Sequence, residues 1–222
     1  GDRPDLLFYP DLGMNPFTYF LAYSRLAPVQ CVSWGHPVTT GLPQMDYFLS
    51  SAHVEPDAPQ AHYSERLACL PPSCAFVCYP KPVPQGALPG RAHFGIAEEA
   101  NLYFCPQTLF KLHPDFDTLV AGILRGDPRG LLLLIDNPRY FKAQLLERWK
   151  GSLDDVVSRI RFLPVCPHHE YLALLGLADA VLDTPHFSGG NSSLEAFAMG
   201  APVVTLPGAY ARSRFTRSEE HT

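Results

Sequence analysis

The stretch SGGNSSLEAFAMGAPVVTL, residues 188–206, sets two glycines, an asparagine and two serines before an alanine-rich helical run and then an apolar strand. Two chemistries fit that pattern. In one, Asn191 or Ser192 caps a structural helix after a glycine turn. In the other, the free amides of the first turn hold an anion. Gly189 and Gly190 then let it approach the backbone, and Asn191, Ser192 and Ser193 add donors. A diphosphate suits the second reading, and Glu195, one turn further on, suits ribose hydroxyls. The motif is not G-x-G-x-x-G and follows a late strand, so spacing alone leaves both readings open.

Three other stretches carry residue types that do chemistry. In CPQTLFKLHPDF, Gln107 closes a strand and Lys111 lies just beyond it. A lysine there neutralises a diphosphate if the loop faces Gly189, and is a surface lysine if it does not. In SWGHPVTTG, His36 follows a strand among small and hydroxyl residues, where an imidazole serves either as a general base or as a turn residue. In PVCPHHEYLA, His168 and His169 are adjacent and cannot share one helix face, so they make no zinc signature. There Cys166 can offer its main chain to a base, and Tyr171 a ring for stacking. His53, His62, His93, His113 and His186 read as ordinary, although His186 stands just before the glycine pair.

These residues need elements to position them. From residue 101 onward apolar strands and helical periodicities alternate. NLYFCP, RGLLLLID, RIRFLPV, DAVLDT and APVVTLP read as strands. DFDTLVAGILRGD, RYFKAQLLERWK, HHEYLALLGLA and SSLEAFAMG read as helices between them. This pattern predicts a doubly wound parallel α/β sheet, which binds ligands at the carboxyl ends of its strands. Before it, PDLLFYPD, VQCVSWG and MDYFLSS read as strands and NPFTYFLAYSRLA as a helix. The expected organisation is the C-terminal part of a first Rossmann-like domain over 1–79, a Pro/Gly-rich linker over 80–91, and a second, nearly complete domain over 92–216. Residues 217–222, RSEEHT, resemble a translated sequencing adapter and are expected to be a non-native tail.

Composition narrows the class. The 222 residues carry a net charge of −5, which supplies no basic field for nucleic acid. Apolar residues make up 46%, ample for packed cores, yet no run reaches the ~18 residues of a membrane helix. The six cysteines show no C-x-x-C pair, and reduced, mostly buried thiols in a cytoplasmic protein are expected, with no metal.

Together LAPVQCVSWGHPVTTGLPQMDYFLSS, LYFCPQTLFKLHPDF and ADAVLDTPHFSGGNSSLEAFAMGAPVVTLPG resemble the catalytic region of the O-GlcNAc transferase and SPINDLY-like glycosyltransferases, with the flavour of bacterial HMW1C-like members. The resemblance covers nearly all of residues 4–216. It implies a GT-B fold of two Rossmann-like domains, the first truncated at its N-terminal side. It implies transfer of GlcNAc or glucose from a UDP-sugar to Ser/Thr or Asn of a protein, with inversion and without metal or other cofactor. Tetratricopeptide repeats are expected upstream in a longer protein, and this stretch alone is expected to be inactive. By the resemblance Lys111 contacts the diphosphate, with Gln107 in the same motif. Gly190, Asn191 and Ser192 hold the phosphates, Glu195 lies near the ribose, the Cys166 main chain meets uracil, and His36 lies near the transfer site. His168 and Tyr171 depart from the family's basic residues. Two alternatives stay open: another GT-B enzyme, such as a sugar-nucleotide epimerase or small-molecule glycosyltransferase, and a non-catalytic UDP-sugar-binding module.

Overall fold

The structure is a computed structural model that describes residues 4–74, 79–84, 86–136 and 141–218. The chain divides into two compact units, one of residues 1–78 with 208–222 and the other of residues 79–207.

In the first unit, β1 (Leu6–Tyr9), β2 (Val29–Ser33), β3 (Tyr47–Ser51) and β4 (Arg66–Leu70) form a parallel sheet in that order. β1 to β3 are the expected strands. β4 is not among them: its apolar run, LACL, is short, and none of it is buried at the edge of the sheet. Helix α1 (Pro16–Leu21) starts as its sequence dictates. Pro16 sits in the first turn, and Asn15 accepts the Phe17 amide at 2.8 Å. It is shorter than the periodicity through residue 27 suggests. After Leu21 the chain tightens into three-residue turns, Tyr23 to Phe20 and Ser24 to Leu21. Val32 and Phe48 bury against Tyr9, Leu12, Ala22, Leu42 and Met45.

The second unit alternates as predicted. Its elements are β5 (Asn101–Cys105), α2 (Pro114–Gly126), β6 (Gly130–Asp136), α3 (Phe141–Ser152), β7 (Ile160–Pro164), α4 (His168–Leu177), β8 (Ala180–Leu182), α5 (Asn191–Ala198) and β9 (Val203–Val204). All pairings are parallel, in the order β7-β6-β5-β8-β9. The LLLL run is apolar because β6 is covered on both faces. Leu132 and Leu134 pack with Phe116, Val120, Leu124 and Trp149 of α2 and α3, while Leu133 packs with Leu172, Leu175 and Ala196 of α4 and α5. Full burial of each such leucine contributes about 1.5–3 kcal/mol. The order reverses between β5 and β8, so the loops leaving those two strands flank the switch point where such sheets take ligands.

After Pro207 the chain returns to the first unit, whereas the sequence reading runs the second domain through 216. The return has an apolar cause. Ala211 and Phe215 bury against Val54, and Arg214 Nε donates to the Val54 carbonyl at 3.0 Å. Arg217 and Ser218 close a short helix α6 (Phe215–Ser218), and 219–222 of the expected tail lie outside the described residues. In the expected linker the described residues before Arg91 form no helix or strand. Of the described cysteines all are free. Cys31 and Cys105 are buried, Cys166 is half-buried, and Cys69 and Cys74 are exposed, against the expectation of mostly buried thiols. Cys78 lies outside the described residues.

Candidate functional site

The loops after β5 and β8 meet through side chains. Gln107, buried at the carboxyl end of β5, donates its Nε2 to Ser192 Oγ at 2.9 Å, and Lys111 Nζ donates to Gln107 Oε1 at 2.9 Å. Lys111, Gln107 and Ser192, 85 residues apart at the widest, thus form one chain of hydrogen bonds. Lys111 closes a single 3-10 turn, Leu109–Lys111, and its ammonium lies 4.5 Å from the centre of the Phe187 ring. Arg148 pins that turn from behind, donating to the Leu112 carbonyl at 2.8 Å and to the buried Asp117 carboxylate. Burial pushes the Lys111 ammonium below the ordinary lysine range, and the charge of Asp183 pulls it partly back.

The helix start departs from the capping reading. The N-cap of α5 is Gly190, which has no side chain with which to cap the helix. Asn191 is its first residue and exposed, so neither Asn191 nor Ser192 is the cap. The Ser193 and Leu194 amides turn back to the Gly190 carbonyl, and the dipole of α5 favours an anion at this end. Gly189 is required sterically. A Cβ there would come within 2.5 Å of Ser193 Oγ, 2.6 Å of Gln107 Nε2 and 2.6 Å of Ser192 Oγ.

Asp183 organises this loop and was not singled out in the sequence. Its buried carboxylate accepts from the Thr184 and Gly189 amides at 2.9 and 2.7 Å and from Thr205 Oγ1 at 2.8 Å. The signal was present in VLDT, an acid at the end of a buried strand, but its partners lie up to 22 residues away.

A second group surrounds Glu195. Its buried carboxylate accepts from Tyr79 O–H at 2.9 Å and faces His168 Nε2 at 2.7 Å. The Tyr171 ring stacks on His168, and burial raises the Tyr171 phenol well above its ordinary range, with Glu195 adding to the rise. Glu195 is therefore already engaged by protein donors, where the sequence reading offered it to ribose. Cys166, His168 and Tyr171 line a cleft of about 260 Å³ with Gln107, Pro106 and Ile135, mostly apolar walls with a few polar groups.

His36 belongs to the first unit, and the other predicted residues belong to the second. Its ring lies against Gly13, where a Cβ would come within 2.7 Å, and its Nδ1 is buried without a hydrogen-bond partner. Burial pushes its pKa down, which keeps the imidazole neutral. Glu65 holds the following loop, accepting from Thr39 Oγ1 at 2.8 Å and the Thr40 amide at 2.8 Å. His36 lines a cleft with Leu12, Tyr19, Phe20 and Thr39. Among the described residues no helix is long and apolar enough to cross a membrane.

Comparison with known proteins gives the family. The chain is 30% identical over 187 residues to a probable UDP-N-acetylglucosamine–peptide N-acetylglucosaminyltransferase SEC of Arabidopsis thaliana, covering 82% of this chain and 19% of that protein. It is 30% identical to the SPINDLY counterpart of Solanum lycopersicum, over 83% of this chain and 20% of the relative. The chain thus spans about a fifth of the length of these curated relatives. Among solved structures, a mutant O-GlcNAc transferase of Thermobaculum terrenum superposes with a TM-score of 0.80 at 31% identity, over 97% of this chain and 40% of that one. The trehalose-6-phosphate synthase OtsA superposes at 0.62 with 13% identity and shares the fold alone. Two parallel Rossmann-like units of this kind are the GT-B fold. The model of glycosyl transferase family 41 matches residues 80–222, and the chain belongs to that family.

Proposed function

We propose that this chain is part of the catalytic region of an enzyme that moves GlcNAc from UDP-GlcNAc to a protein side chain. The observation that carries the reading is the desolvated Lys111, linked through Gln107 to Ser192 in the first turn of α5. Transfer breaks the bond between the anomeric carbon and the diphosphate, so negative charge grows on UDP as it leaves. Lys111 and the α5 amides stabilise that charge where it develops, and no step requires an ion. Losing one such preorganised donor costs ~2.7–4 kcal/mol in the transition state. The apolar cleft beside Cys166 and Tyr171 accepts the uracil. The acceptor oxygen attacks from the face opposite the diphosphate, which inverts the anomeric centre, and its proton passes to a base. His36, neutral and lining the cleft with Tyr19, Phe20 and Thr39, is the candidate for that base. The activity for which the relatives are named supports GlcNAc as the sugar and a peptide as acceptor.

Calorimetric titration of UDP in EDTA, with the wild type and Lys111→Ala, tests the reading. A charge-assisted contact contributes about 1.5–3 kcal/mol, so the variant should bind about 10- to 100-fold more weakly. Equal binding by a folded variant would return the 188–198 stretch to an ordinary helix start and remove the structural support for transfer.

A further inference from the structure

The same two loops carry a group of side chains that the proposed transfer does not use. His113 caps α2, Asp115 lies in its first turn, and His186 stands in the loop after β8. His186 Nε2 is 2.7 Å from Asp115 Oδ2, and His113 Nδ1 is 3.3 Å from the same oxygen. The two imidazoles meet edge to face with centroids 4.4 Å apart. The three ligand-type atoms all lie within 4.8 Å of one another, and all three side chains are exposed.

We infer that His113, Asp115 and His186 form a binding site for a divalent transition-metal ion of the zinc class. Two imidazole nitrogens and one carboxylate oxygen are a donor set that suits Zn²⁺. Around a tetrahedral zinc, neighbouring ligand atoms sit roughly 3.3 Å apart. The observed spacings, 2.7 Å, 3.3 Å and no more than 4.8 Å, bracket that value, so rotation of exposed side chains completes the site. Three protein ligands leave the fourth position to water. One existing contact competes: His113 Nδ1 accepts the Asp115 amide at 3.2 Å. That amide belongs to an exposed first turn, where water replaces the imidazole. Because His113 and Asp115 follow β5 and His186 follows β8, a bound ion ties together the loops that carry Lys111 and Gly189. The inference stands independently of the donor reading, and no step of transfer runs through the ion.

The test is titration of the metal-stripped chain with Zn²⁺ by calorimetry and with Co²⁺ by visible absorption. One equivalent should bind, with Co²⁺ giving the intense visible bands of a four- or five-coordinate site. His186→Ala and Asp115→Asn should each weaken Zn²⁺ binding at least about tenfold, since each removes a direct ligand. His169→Ala, which changes an exposed imidazole outside the cluster, should leave it unchanged. Absence of saturable binding, or binding that survives both His186→Ala and Asp115→Asn, would overturn the site and leave a hydrogen-bonded surface cluster.

Discussion

Lys111 holds a charge where burial disfavours one, and that has a consequence in pH. Its folded-state pKa lies below the ordinary 10.5, with desolvation as the main cause and Asp183 as partial compensation. A bound diphosphate favours the charged form and raises that pKa again. Ligand binding must therefore take up a proton once the pH exceeds the lowered value of the free protein. UDP affinity should hold near neutrality and fall as pH rises towards 10.5, ahead of an ordinary lysine. Lys111→Arg, whose guanidinium does not titrate there, should bind with less pH dependence over the same range. Calorimetry on both proteins cancels any titration of the ligand itself, and parallel profiles would contradict the argument. At this scale the meeting of Lys111, Gln107 and Ser192 was legible, because alternating strands and helices already put their loops at the carboxyl end of one sheet. Asp183 and the Glu195–His168 pairing were not, because their meaning lies in partners 22 and 27 residues distant that only the folded sheet brings near.

At the scale of elements, the start of α5 depends on what Gly189 leaves empty. Gly189→Ala would push a methyl into Gln107 Nε2 and two serine hydroxyls. It should cost about 1–3 kcal/mol of stability by overpacking. It should also break the Gln107–Ser192 link and weaken UDP binding at least about tenfold, the equivalent of ~1.4 kcal/mol. Gly122→Ala is the contrast. Gly122 lies exposed inside α2 with open space around its Cα. Alanine there should stabilise by about 0.5–1 kcal/mol through helix propensity, with donor binding unaltered. Urea unfolding and calorimetry on the two variants separate the effects. The elements themselves were mostly readable, since buried parallel strands such as β6 declare themselves as unbroken apolar runs. β4 escaped because its apolar run is short and unburied at the sheet edge. The length of α1 escaped because the apolar period outlasts the helical hydrogen bonds.

At the scale of the molecule, the first unit owes part of its core to residues that follow the second. Phe215 is buried with Val54 and Ala211. Phe215→Ala should cost about 3 kcal/mol, the low end for a buried phenylalanine in so small a cluster. Hydrogen exchange should quicken around Val54 while β5 and β6 stay protected, and uniform loss of protection in both units would refute a local role. This return was invisible in the sequence because residues 208–216 offer only two buried apolar side chains, whose partners lie some 160 residues earlier. Synthesis runs in one direction, and domains generally fold as they leave the ribosome. Here the first unit to be made cannot be the first to be finished. Its sheet emerges early, but Ala211 and Phe215 arrive only after all of residues 79–207 have been translated. Residues 79–207, uninterrupted in sequence, are all made before them, so the cluster around Val54 closes only after the second unit has emerged.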